Sequence, residues 1–332
     1  MQKRFSVIGG GSWATALVKI LTYNNHDVKW WVRTAETKNY INTYGHNPKY
    51  LSSVQFDTRQ DFVTNDIIDA VNFTDVIILA LPSVYLQDSI SKTSPIDWQN
   101  KTIISAIKGV APGNSILISD YLQTIFDIDL DKIIHLCGPC HAEEVAAERL
   151  SYLTFSSTNV FAREEIAKCF NNRYIITDYI DDIVGTEYAA ILKNIYAIAT
   201  GISIGLGYGD NFRAVMVSHC MNEMMEFLDK AKPEVRNMMH PSYMGDLLVT
   251  CYSQHSRNRA YGIMLGKGYT SAAANLELGM VAEGYYSSKA LYNKLREYPD
   301  LNLPIVTAVY KIIFEHQTPE VIYSILSKSF KN

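Results

Sequence analysis

The sequence predicts an α/β protein in two parts. A doubly wound, mostly parallel sheet flanked by helices spans residues 1–183, and an all-helical domain spans 184–332. Three observations carry this. Short apolar runs alternate with helical patterns through the first half. Several of those runs are apolar throughout, as strands covered on both faces are. Convincing strands then cease near residues 180–185. The length of 332 residues agrees, since a domain typically takes roughly 100–200.

The first strand is Phe5–Ile8, and the helical pattern Trp13–Tyr23 leads to a second strand, Val28–Val32. Further strands are expected at Val76–Leu81, Thr102–Ile107, Ile133–Leu136, Leu153–Phe155 and Tyr174–Thr177. Beyond Asp182, helices are expected at Glu187–Thr200, Arg213–Lys230, Ser256–Leu265 and Ser271–Leu278. Between the first two of these, residues 201–209 carry glycines at 201, 205, 207 and 209 and read as a turn or mobile loop.

Composition excludes several classes. Hydrophobic residues at 48% and charged residues at 19% rule out a disordered chain. The net charge of −4, without a long run of one sign, points away from nucleic acid and membrane surfaces. Met1–Ile8 has neither the apolar core nor the cleavage site of a secretory signal. The best membrane-span candidate, Ile195–Leu206, is short and broken by Thr200, Gly201, Ser203 and Gly205. Five cysteines without a framework spacing suit reduced thiols, so a cytoplasmic chain is expected.

The first strand runs into Gly9-Gly10-Gly11-Ser12-Trp13-Ala14, a G-x-G-x-x-A turn that opens a helix. Glycines permit the tight turn and let backbone approach a pyrophosphate, while helix-start amides favour its charge. A purely structural turn needs the same glycines, but the position within a βαβ unit favours a dinucleotide. At the end of the second strand, where an acidic residue usually binds ribose hydroxyls, stands Arg33. Its guanidinium suits a 2′-phosphate, so NADPH is expected ahead of NADH.

Lys193 lies in a helical stretch that is apolar on nearly every face, which suggests a partly dry ammonium. A lysine snorkelling to water is the plainer reading. Lys108, Pro82-Ser83 and Gly138-Pro139 each follow a strand, at the ends where open α/β sheets bind ligands. Ser256 is an N-cap candidate, and with Arg257 and Asn258 it forms a helix start suited to a phosphate monoester. Asp246 has the chemistry to fix a lysine or a substrate hydroxyl.

These residues resemble the NAD(P)-dependent glycerol-3-phosphate dehydrogenases of the bacterial type. The likeness covers Ile8–Leu17, Lys108-Gly109, Gly138-Pro139, Leu192-Lys193-Asn194, Gly245-Asp246-Leu247, Cys251–Arg259 and Val281–Tyr285, in that order. It implies a Rossmann-type first domain and the interconversion of sn-glycerol 3-phosphate and dihydroxyacetone phosphate, supplying phospholipid backbone. It implies Lys193, Lys108 and Asp246 as catalytic residues. Lys108, Gly138, Lys193, Asp246, Ser256, Arg257 and Asn258 would hold substrate. Gly9, Gly11, Ser12, Trp13, Arg33, Lys108, Ala142, Arg257, Val281 and Glu283 would hold NADPH or NADH. A homodimer and a small phosphate-bearing substrate follow from the same likeness, with no metal.

Two departures stand out. Cys140 occupies a position where the family usually has Thr or Ser, so no substrate role is carried onto it. Thr34 stands where a second cation often follows Arg33, which leaves the choice between NADPH and NADH open.

Rival readings remain. Cys137-Gly138-Pro139-Cys140-His141 matches a dithiol motif and a c-type haem attachment sequence, and invites comparison with a metal site. An inhibitory disulfide between Cys137 and Cys140 is a further hypothesis. A sibling dehydrogenase for another 2-hydroxy compound shares the two-domain plan. An NADP-binding sensor shares the fold without the chemistry.

Overall fold

A computed structural model describes residues 2–58, 62–91, 98–113, 117–279 and 282–330. The chain divides into two compact units, one made of residues 1–107 with 111–183, the other of 108–110 with 184–332.

The first unit is built on eight strands: β1 (Arg4–Ile8), β2 (Asp27–Trp31), β3 (Val63–Thr64), β4 (Val76–Leu79), β5 (Thr102–Ser105), β6 (Ile133–Cys137), β7 (Ser151–Ser156) and β8 (Ile175–Ile180). Their order is β3-β2-β1-β4-β5-β6-β7-β8, parallel throughout except where β7 runs antiparallel to β6. Helices connect them: α1 (Ser12–Tyr23), α2 (Ala35–Tyr44), α3 (Ile67–Asn72), α4 (Leu86–Ile90), α5 (Ile118–Phe126), α6 (Ala142–Ala146) and α7 (Val160–Phe170). The order turns back between β1 and β4, and in open sheets such a switch point leaves a crevice at the strands' carboxyl ends. Phe5, Val7, Leu17, Trp30, Ile104, Ile134 and Phe155 are fully buried in the core beneath it.

The expected strands are present, with shifted ends. Val76–Leu81 and Thr102–Ile107 overran β4 and β5: the Ala80 and Ala106 amides still donate to the Ile8 and Leu79 carbonyls, and Leu81 and Ile107 stay buried beyond them. Hydrophobicity reports burial, and only pairing makes a strand. The two-residue β3 and the helices α2 and α3 were not anticipated.

Among its described residues the second unit is helical. It comprises α8 (Ile183–Gly205), α9 (Asp210–Ala231), α10 (Asp246–Tyr252), α11 (Arg257–Gly266), α12 (Ser271–Leu278), α13 (Glu283–Lys294), α14 (Pro304–Phe314) and α15 (Pro319–Ser329). Proline at the first position of α14 and α15 forfeits no internal hydrogen bond there.

The expectation of a loop over residues 201–209 needs correction. Gly201 and Gly205 lie within α8, and only residues 206–209 turn. These glycines serve close packing. A Cβ on Gly201 would stand 2.2 Å from the Arg259 carbonyl oxygen, and one on Gly205 would stand 2.4 Å from that of Ile263. From the other side, a Cβ on Gly262 would meet the Ile198 carbonyl at 2.1 Å, and one on Gly266 that of Ile202 at 2.3 Å. Helices α8 and α11 therefore touch backbone to backbone.

Candidate active site

In the first unit the glycine turn sits at the switch point. Gly9 has φ +145°, and a Cβ there would lie 2.1 Å from the carbonyl oxygen of Ala80, just past β4. Only glycine fits. The Trp30 indole donates to the Gly9 carbonyl at 2.7 Å. Asn47, almost fully buried, donates to the Gly10 carbonyl at 3.1 Å and to Thr15 Oγ1 at 2.9 Å. Its Oδ1 accepts from the amides of Lys49 and Tyr50, so one side chain ties the turn to the loop after α2. Sequence reading missed Asn47, since a lone asparagine in a loop carries no pattern.

Gly11 is the N-cap of α1, which has neither a side-chain cap nor an acidic residue in its first turn. Nothing lies within 4 Å of where a Gly11 Cβ would be. An open helix start with glycine at its mouth fits the pyrophosphate of a dinucleotide. Ser12 is buried and Trp13 half-buried in that first turn. Arg33 is exposed just beyond β2, its guanidinium 5.2 Å from the centre of the Tyr85 ring. Thr34, the residue after Arg33, is the N-cap of α2 and accepts from the Thr37 amide at 3.2 Å.

Gly138 follows β6 with φ +106°, and a Cβ there would meet the Tyr152 carbonyl at 3.1 Å. Ala142 opens α6 and is buried. The cysteines of the Cys-x-x-Cys motif are buried around this turn, with Cys137 Sγ 3.5 Å from the Thr154 carbonyl. Such burial offers little access for thiol exchange. Among the described residues no three His, Cys, Asp or Glu side chains gather as metal ligands would.

The second unit contains a buried polar cluster. Lys193, on α8, forms an ion pair through Nζ with Asp246 Oδ2, and each side chain is only 3% exposed. Asp246 opens α10 directly after a π-helical turn, Pro241–Gly245, capped by the His240 ring, which accepts from the Ser242 amide. Thr250 Oγ1 donates to the Asp246 carbonyl at 2.6 Å. A buried ammonium needs a counter-charge, and Asp246 supplies it.

The next residue along α8, Asn194, organises the rest. Its Nδ2 donates to the Lys108 carbonyl at 2.6 Å, which explains why residues 108–110 pack with the helical unit. Its Oδ1 accepts from Asn258 Nδ2 at 2.8 Å, and Asn258 Oδ1 accepts from the Gly284 amide at 2.9 Å. A Cβ on Gly284 would lie 2.6 Å from the Asn194 carbonyl oxygen. Ser256 caps α11 as anticipated, accepting from the Arg259 amide at 3.3 Å. Arg257 and Glu283 occupy the first positions of α11 and α13, both half-buried, and Lys108 is half-buried. Val281 lies outside the described residues. In the sequence Asn194 follows Lys193 with nothing to mark a role of its own. Its spacing to Asn258 and Gly284 gave no hint that they meet.

A doubly wound unit with an open glycine turn, joined to a helical unit holding a buried lysine–aspartate pair, defines a two-unit NAD(P)-dependent dehydrogenase. Family models for the N-terminus and the C-terminus of NAD-dependent glycerol-3-phosphate dehydrogenase match residues 4–162 and 182–324. The chain is 35% identical over 319 residues to glycerol-3-phosphate dehydrogenase [NAD(P)+] of Bacillus subtilis, covering 96% of this chain and 92% of the relative. With the enzyme of the same description from Staphylococcus haemolyticus it shares 34% identity, over 94% of each. The crystal structure of glycerol-3-phosphate dehydrogenase from Coxiella burnetii superimposes with a TM-score of 0.89 at 25% identity, over 98% of each chain. The chain belongs to the NAD-dependent glycerol-3-phosphate dehydrogenase family.

No described helix is long and apolar enough to cross a membrane.

Proposed function

We infer that this chain interconverts sn-glycerol 3-phosphate and dihydroxyacetone phosphate, the reaction that supplies glycerol 3-phosphate for phospholipid synthesis. The observation that carries the reading is the Lys193–Asp246 pair, buried in a chain both of whose halves match the family. The glycine turn Gly9–Ser12 would hold a nicotinamide dinucleotide, whose chemistry would supply hydride exchange at substrate C2.

The chain's own residues handle charge and position. Reduction of the ketone builds negative charge on the C2 oxygen, and a fixed ammonium stabilises it. Lys193 takes that role and exchanges the proton with the oxygen, while Asp246 holds the ammonium in place. Lys108 contributes a second positive charge, its backbone held by Asn194. Gly138, Ser256, Arg257 and Asn258 hold the substrate. Ser256 caps the helix that carries Arg257, and Asn258 ties that helix to α8 and α13.

In the first unit, Gly9, Gly11, Ser12 and Trp13 form the pyrophosphate turn, with Ala142 as a further cofactor contact. The family likeness adds Lys108, Arg257, Val281 and Glu283 of the second unit to the cofactor residues. Arg33, presented over Tyr85, reads a 2′-phosphate, so NADPH is the preferred cofactor. A cytoplasmic homodimer belongs to the same reading and rests on the family alone.

Steady-state oxidation of NADPH, and separately NADH, with dihydroxyacetone phosphate tests the assignment. Turnover with either supports the reaction. A folded, reduced chain that turns over neither would shift the assignment to a sibling substrate or a sensor.

A further inference from the structure

The turn at the far end of α1 carries a histidine that has no part in the reaction described above. The helix runs out through Tyr23-Asn24-Asn25-His26, and Asn25 takes the left-handed conformation at φ +58°, which asparagine tolerates better than most residues. The Asn25 amide donates to the Thr22 carbonyl and the His26 amide to the Leu21 carbonyl, both at 3.0 Å. That pair of bonds closes the helix end and fixes where the His26 ring sets out from.

Both ring nitrogens meet backbone. The Lys3 amide, just before β1, donates to Nδ1 at 3.1 Å. Nε2 lies 3.0 Å from the carbonyl oxygen of Cys169, near the end of α7. An amide can only donate and a carbonyl can only accept, so the partners dictate where the proton sits. Nδ1 is bare, Nε2 carries the hydrogen, and the ring is neutral. Asn24 Nδ2 donates to the same Cys169 carbonyl at 2.8 Å, and the Asp27 amide donates to the Lys3 carbonyl at 2.9 Å. The Phe5 ring of β1 meets the imidazole edge-on, with centroids 5.3 Å apart. The start of β1, the turn after α1 and the end of α7 therefore meet at one imidazole, at the opposite end of β1 from the glycine turn.

A second proton would go onto Nδ1 and turn that acceptor into a donor. The Lys3 amide would then face another N–H and lose its bond. We propose that His26 is a pH-operated clasp, closed while its imidazole is neutral and opened by protonation, that fastens the start of β1 to the end of α7.

The surroundings favour the closed form. Burial lowers the ring's affinity for a second proton from its ordinary value of 6.5, the Cys169 carbonyl opposes this, and the positive charges of the amino terminus and Lys3 lower it further. The Lys3 ammonium pairs with Glu165 of α7 at 2.6 Å. The Cys169 thiol on the same helix is pushed up by burial and stays neutral. Asp27, next along the chain, opens β2 and is half-buried. The folded chain takes up this proton less readily than the unfolded one. The clasp's contribution to stability is therefore full above about 6.5 and is lost as pH falls towards the lowered folded value.

The test joins nuclear magnetic resonance of the full chain, isotope-labelled in its eight histidines, to urea unfolding. At neutral pH the His26 ring should show the Nε2–H tautomer, and its titration midpoint should lie below 6.5. An Nδ1–H tautomer, or a midpoint at or above 6.5, would overturn the clasp. The ring is assigned through bonds in the parent, so this reading stands even where a variant fails to fold. In urea, the parent's midpoint should exceed that of His26→Gln at about pH 7.5 and approach it by about pH 5, the range over which histidine changes charge. Other titrating groups are common to both chains and cancel in the difference. A difference that stays constant over that range, or none at all, would also overturn the proposal. Turnover enters neither measurement, so the outcome is independent of the proposed function.

Discussion

Lys193 and Asp246 face each other across α8 and α10 as an ion pair withdrawn from water. Breaking a buried pair from one side is costly, because the remaining charge has no solvent to return to. Lys193→Ala is expected to lower kcat with dihydroxyacetone phosphate by at least about 10³-fold. It should also destabilise the fold by about 3–5 kcal/mol, while dinucleotide affinity stays nearly unchanged. Turnover near the parental rate in a folded variant would remove Lys193 from the chemistry.

Arg33 stands over the Tyr85 ring at the end of β2. Arg33→Ala should reduce kcat/KM for NADPH by about tenfold or more and leave that for NADH nearly untouched. An equal loss with both cofactors would mean that the arginine does not read the 2′-phosphate. The side-by-side kinetic comparison decides it.

Asn258 joins α11 to Asn194 of α8 and to the first turn of α13. Asn258→Ala leaves a buried amide and a buried side-chain oxygen without partners, at about 1–3 kcal/mol each. Urea unfolding should register that loss, with KM for the phosphorylated substrate rising as α11 loosens. Unchanged stability would show that the three helices do not depend on this bridge.

Gly262→Ala separates two effects of opposite sign. Helix propensity alone favours alanine by about 1 kcal/mol. The crossing opposes it, because the new methyl would lie 2.1 Å from the Ile198 carbonyl. Backbone must then shift, which typically costs about 1–3 kcal/mol. Net destabilisation is expected in urea titrations, and a more stable variant would refute the backbone-to-backbone contact.

Glu223 of α9 is buried and accepts from the amides of Ile305 and Val306 at the start of α14, at 2.5 and 3.3 Å. Burial pushes its carboxyl up to about 8, against the opposing pull of those two amides. An acid whose affinity for its proton rises on folding binds more proton folded than unfolded between the two pKa values. Stability should therefore fall as pH rises from about 4.5, its ordinary value, to about 8, and then level off. The slope should approach at most about 1.4 kcal/mol per pH unit. Glu223→Gln should flatten that portion of the profile, and an unchanged slope would assign it to other groups.

The legible parts of this molecule were those written in local pattern. The glycine turn announces itself because Gly9, Gly11 and Ala14 sit at fixed offsets from a strand and a helix. Ser256 was readable because capping involves neighbours, here the Arg259 amide. Gly201 and Gly205 misled for the same reason. A glycine signals a turn locally, and its use against Gly262 and Gly266 depends on a helix some sixty residues away. Asn47, Asn194 and Asn258 also act across distant stretches of sequence, 37 residues for Asn47 to Gly10 and 64 for Asn194 to Asn258, through hydrogen bonds that leave no periodic trace. The overrun strand ends at Leu81 and Ile107 have a different cause, since those residues are buried without being paired.

The crossing of α8 and α11 has one more consequence. Where the helix bearing Lys193 and Asn194 crosses the helix bearing Arg257 and Asn258, at Gly201, Gly205, Gly262 and Gly266, the spacing is set by main-chain atoms alone. Most helix pairs can be eased apart or drawn together over generations by exchanging one aliphatic side chain for another. Here there is no such spacer to exchange. A descendant of this chain adapting to a larger or smaller substrate would find that dimension closed, and its innovation would have to come from the loops.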